Sequence, residues 1–142
     1  MRRSILAALV ALAVSGPVFA EEPAVRYAAS EAALPPMGWR PLSNTLQAVV
    51  FVRDMRITYA GHRTMWVRTE LKQGATDGTL SWVEFDEYDC ARGRVRVLQQ
   101  HHFSGQNLSG ASLGPFIHDW ASVMPQSIGD GALREACATA LG

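Results

Sequence analysis

Lysine is nearly missing from this chain: Lys72 stands alone among 142 residues, against twelve arginines. An excess of either charge sign is missing too, since 13 basic residues face 13 acidic ones. That balance removes the marked basic surplus that nucleic acid or an anionic membrane surface would require. Cysteine is scarce, with Cys90 and Cys137 only. None of the four histidines has a cysteine or carboxylate at a metal-ligand spacing around it. The Gly-x-Ser-x-Gly elbow, the His-Glu-x-x-His helix and the lysine-bearing phosphate loop are all absent from the sequence. Gly105, Gly110 and Gly114 fall in one stretch with no lysine beside them. These gaps exclude the recognisable motif-borne chemistries, so no enzyme, metal or cofactor is expected.

Long apolar runs are confined to the first twenty residues. Arg2 and Arg3 precede Ile5 to Val14, and Val18-Phe19-Ala20 places small residues where a signal peptidase reads. The run falls short of the roughly 20 residues that span a bilayer. Residues 1–20 therefore read as a signal peptide cut between Ala20 and Glu21. Removing Arg2 and Arg3 from the thirteen basic residues leaves eleven against thirteen acidic, a net charge near −2. No cysteine follows the apolar run until Cys90, so no lipid anchor is expected. The expected location is exported, in the periplasm or at the cell surface. In an oxidising compartment two cysteines most simply form one disulfide.

Residues 21–37 are rich in Ala, Glu and Pro, with Pro35-Pro36, and read as a mobile arm. A domain is expected over residues 38–142. Leu46 to Val52 is almost continuously apolar, as for a strand covered on both faces. Asp54, Met55 and Arg56 are expected to break it. Arg63 to Lys72 alternates, with Met65, Val67, Thr69 and Leu71 on one side and Trp66, Arg68, Glu70 and Lys72 on the other. Leu80 to Cys90 reads as a further strand whose alternation slips near Asp86, the mark of a bulge. Arg94 to Phe103 follows after only Ala91-Arg92-Gly93, and so short a link demands antiparallel pairing. Ser104 to Gly114 reads as a long exposed loop or flexible hairpin, and Phe116 to Trp120 as a final short strand or turn. Ser127 is a plausible N-cap, after which Leu133, Ala136, Cys137, Ala140 and Leu141 share a helical face. The expected fold class is α+β: an antiparallel sheet of about five or six strands and a C-terminal helix tethered by a Cys90–Cys137 disulfide. Closing a loop of nearly fifty residues is worth about 4 kcal/mol in the chain-entropy account.

The order of short elements carries a resemblance. Trp39, then Phe51-Val52-Arg53-Asp54-Met55-Arg56-Ile57, Thr64-Met65-Trp66-Val67, Glu87-Tyr88-Asp89-Cys90, Trp120, Val123-Met124-Pro125-Gln126-Ser127 and Cys137 together resemble the surface-adhesin protein E-like family. The resemblance implies a helix disulfide-tethered to an antiparallel sheet. It also implies a protein partner, as named members adhere to host matrix or plasma proteins, and it implies dimerisation. The alternative is a structural or assembly accessory of the cell envelope.

Two side-chain groups invite chemistry. His101 and His102 are adjacent, but on a strand they point to opposite faces and cannot chelate one ion. Arg92, Arg94 and Arg96 share a parity and would form a basic stripe. That stripe is either a contact patch for an acidic or sulfated ligand or a set of cross-strand partners for Glu84, Asp86 or Glu87.

Overall fold

The computed structural model describes residues 38–138. The expected signal peptide, the arm before Gly38 and the last helical positions, Ala140 and Leu141, lie outside the described residues. Strands β1 (Arg40–Asn44), β2 (Ala48–Ile57), β3 (Arg63–Leu71), β4 (Ser81–Asp89), β5 (Arg94–Phe103) and β6 (Ser112–Ser122) precede one helix, α1 (Ile128–Ala138). The strands form a single sheet in chain order, and every neighbouring pair is antiparallel.

β2 is the centre of burial. Ala48 to Val52 are enclosed on both faces, as their unbroken apolar run requires. Val50 and Val52 join Met65, Val67 and Tyr88 beneath Ala132 and Ala136 of α1, while Val49 and Phe51 pack with Trp39 on the reverse face. Asp54 does not end β2. The strand absorbs an extra residue between Arg53 and Arg56, with Asp54 at φ 54°, and continues to Ile57. The break expected from Asp54, Met55 and Arg56 is thus a bulge. β1, which the sequence shows only as a polar approach to β2, pairs along it with a second bulge between Pro41 and Ser43.

The slip near Asp86 is also real, but the extra residue belongs to the partner strand. Phe85 pairs with Gln99 and Asp86 with Val97, leaving Leu98 unopposed on β5. Lys72, the single lysine, lies just past β3 and donates to Asn44 Oδ1 at 2.6 Å and to the Thr45 carbonyl, fastening the β1–β2 turn.

α1 is started by local bonds. The Asp130 amide donates to Ser127 Oγ at 3.1 Å, and the Gln126 amide donates to Asp130 Oδ2 at 2.9 Å. The helix seals its half of the sheet with small residues, which let it approach β3 and β4 closely. Cys137 near its end is bonded to Cys90 just beyond β4, with Cα atoms 5.6 Å apart at a sequence separation of 47.

Candidate functional site

Each face of the sheet carries its own chemistry, set by the alternation along β3, β4 and β5. On the reverse face, away from the helix, charged residues are assembled as compensated pairs. Arg68 Nε donates to Glu70 Oε1 at 2.7 Å, and both side chains are buried. Burial pulls the Glu70 carboxyl upward, partly offset by the Asn107 amide and Arg68. That amide donates to Glu70 Oε2 at 3.0 Å, while Arg68 Nη2 donates to Asn107 Oδ1 at 3.0 Å. Leu108 is held similarly, its amide donating to Ser81 Oγ at 3.1 Å. The stretch expected to be an exposed loop or flexible hairpin is the β5–β6 hairpin connection, folded back onto the sheet. Its turn residues Asn107 and Leu108 adopt φ 57° and 56° to make this return.

The arginine stripe stands at the other end of the same face. Arg96 Nε donates to Glu87 Oε2 at 2.7 Å. Arg94 Nε and Arg92 Nη1 both donate to Asp89 Oδ2 at 3.1 Å. His62 adds a contact to Glu87 Oε1 at 2.8 Å. Arg94 and Arg96 also lie over the Trp120 ring at 4.8 and 4.9 Å from its centroid. Burial opposes ionisation of Glu87, but His62 and Arg96 outweigh it and hold the carboxyl below its ordinary range. The same contest at Asp89 is won by Arg92 and Arg94. Of the three acids considered as partners for the stripe, Glu87 takes that role. Glu84 and Asp86 project to the helix face and do not, and Asp89 supplies the partner that sequence reasoning missed. Its odd parity with Glu87 was the available signal.

His101 and His102 diverge to opposite faces. His101 meets Gln99 at 2.9 Å, while His102 stacks on Trp82 and meets the edge of Phe116. Among the described residues no group of three His, Cys, Asp or Glu side chains could hold a metal ion. A hollow of about 210 Å³ beside Asp77, Thr79, His102 and Ser104 brings hydrolase-like residue types together. Its geometry does not make a relay. Thr79 Oγ1 lies 3.4 Å from His102 Nδ1, and the buried His102 Nε2 has no partner to orient it.

The largest uncommitted feature is β6. Along its eleven residues only Trp120 is partly shielded, and Leu113, Phe116 and Ile117 are exposed. One side of β6 pairs with β5, and the other is a sheet edge. The opposite edge, β1, is short, contains Pro41, and is fastened to the helix by an Arg40–Glu135 ion pair. Such devices blunt an edge against pairing. β6 has a glycine and a cis proline at Gly114–Pro115, but then continues to Ser122.

A meander of six strands, one terminal helix on one face, and a disulfide between the end of β4 and that helix coincide with a known family. The family model for surface-adhesin protein E matches residues 39–138. The chain belongs to the surface-adhesin protein E family. Two solved structures of Haemophilus influenzae protein E share its fold. Crystal form II aligns at TM-score 0.54 and 13% identity, covering 74% of this chain and 94% of that one. The other aligns at TM-score 0.52 and 13% identity, over 74% and 90% of the two chains. A comparison with curated proteins found no significant match. The family is one of surface adhesins, so this member is an adhesin-like protein. Among the described residues no helix is long and apolar enough to cross a membrane.

Proposed function

We propose that this chain is an exported, non-enzymatic binding module that engages a protein partner by strand addition at β6. The open edge of β6 carries this reading. Eleven residues of edge backbone give a partner strand a row of hydrogen-bonding groups, and Leu113 and Ile117 give it apolar side chains to cover. Family membership favours an extracellular-matrix protein as that partner. A second copy of the chain meets the same requirement. Arg92, whose side chain is 68% exposed despite its bond to Asp89, offers a further contact for an acidic or sulfated group. Arg94 and Arg96 are more firmly engaged by Asp89, Glu87 and Trp120, and serve chiefly to hold that corner together.

Capture of matrix components and of envelope extracts by the wild-type protein, compared with Ile117→Lys, tests the reading. Loss of matrix capture in the variant, with the melting temperature unchanged, is the expected result. Capture of an envelope component alone moves the assignment to a periplasmic assembly accessory. Equal capture by both proteins rules out β6 as the contact.

A further inference from the structure

The helix face of β4 holds two carboxyl groups that take part in no ion pair among the described residues. Glu84 and Asp86 are two residues apart and so lie on the same side of the strand. Other buried carboxylates of the described residues have a cationic partner: Glu70 has Arg68, Glu87 has Arg96, and Asp89 has Arg92 and Arg94. Asp86 is only 4% exposed, and its Oδ1 has no hydrogen-bond partner. Its Oδ2 accepts from the hydroxyl of Tyr88, itself fully buried, at 2.8 Å. Glu84 accepts from the Trp82 side chain and, at Oε2, from Gln100 Nε2 at 2.7 Å, neither of them a cation.

The surroundings contain little to stabilise a second negative charge. β3 presents Met65 opposite Asp86 and Val67 opposite Glu84, with Arg63 further along beside Tyr88 and ion-paired to neither acid. β2 contributes Val50 and Val52 to this face, and β5 presents Val97 and Gln100. β6 presents His118, whose charge would favour ionised Glu84. On α1, Ala132 and Ala136 face the sheet, while Asp130 is paired with Arg134 and Glu135 with Arg40. Asp86 thus sits at the margin of the apolar cluster that the helix closes.

We propose that Glu84 and Asp86 form a proton-operated lock, in which Asp86 keeps its proton at neutral pH and its ionisation in alkaline medium loosens the seat of the helix on the sheet. The proton removes a charge that no ion pair compensates at this buried site, and its loss leaves that charge between like-charged Glu84 and the phenol of Tyr88. Burial first, and the Glu84 charge second, push the Asp86 carboxyl up to about 8. Burial also raises Glu84. An acid whose folded value is raised binds its proton more tightly when folded. Its contribution is fully present in acid and is lost as pH rises from the ordinary carboxylate range through about 8. The helix stays covalently attached throughout, so the lock controls packing and not connectivity.

Carbon-13 NMR of the Asp86 side-chain carboxyl in the intact, oxidised protein is the direct test. The resonance should stay in its protonated position at pH 6 and move only in weakly alkaline solution. Glu84→Gln should shift that titration toward acid by removing the neighbouring charge. Denaturant titration gives a second readout. Linkage predicts about a tenfold loss in the folding constant per pH unit for one such proton across the interval, and Asp86→Asn should diminish that slope to the part Glu84 contributes. A wild-type Asp86 that titrates below pH 5 overturns the proposal, as does an undiminished slope in Asp86→Asn.

Discussion

Asn107 does for Glu70 and Arg68 what a dedicated partner strand would do. Its amide caps the carboxylate and its side-chain oxygen takes the guanidinium, so two buried charges are satisfied by one loop residue. Removing either charge while leaving the other is expected to cost about 3–5 kcal/mol, because the survivor remains buried and uncompensated. Glu70→Ala should therefore unfold at much lower urea concentration than wild type in an equilibrium titration. Arg68→Met with Glu70→Leu should recover most of that loss, since a well-packed apolar pair avoids the desolvation of both ions. Gly114 is a different kind of requirement. It has φ 127°, and an added Cβ would lie 2.5 Å from the Gln100 carbonyl oxygen. Gly114→Ala is expected to displace the start of β6 from β5 and lower the melting temperature measured by circular dichroism.

At the level of elements, the helix and its tether were legible and β6 only in part, since the short strand or turn expected at Phe116 to Trp120 is the middle of an eleven-residue strand. The paired cysteines, the Ser127 cap and the apolar spacing of Leu133, Ala136 and Cys137 all point to a terminal helix fixed by one covalent link, which the structure shows. Arg63 to Phe103 was equally readable, because alternation and the short Ala91-Arg92-Gly93 corner leave little freedom in pairing. β1 and β6 were obscured for a shared reason. Each is an edge strand, so solvent covers much of it and apolar alternation is not enforced. β6 also slips register against β5 in three places, which erases the period of two. The candidate contact was hidden by that same property, as an exposed strand ready for pairing looks like a loop in composition. Replacing both cysteines by serine removes the tether, with an expected loss of about 2–4 kcal/mol in the denaturant midpoint analysis. The sheet should outlast the helix in that variant, because the reverse-face packing of Trp39, Val49 and Phe51 with Trp66 and Val83 does not involve the helix.

For the molecule as a whole, two acid pairs with opposite shifts, Glu87 with Asp89 and Glu84 with Asp86, set opposite pH limits. Glu87 and Asp89 ionise more easily when folded, so their contribution exists above the ordinary carboxylate range and fades as the medium becomes acidic. Glu84 and Asp86 act in the other direction and favour the folded state in acid. A thermal-melt series from pH 3 to pH 9 should show a maximum in mildly acidic solution, falling on both sides. A plateau from neutral to alkaline pH would contradict the assignment of the helix-face pair. The chain-order topology has a further consequence, this one for biogenesis. Each strand bonds only to strands adjacent in sequence, so the sheet can grow as successive hairpins with short loops to close. A newly made chain can therefore complete its strands while both thiols are still reduced, and oxidation then secures a sheet that already exists.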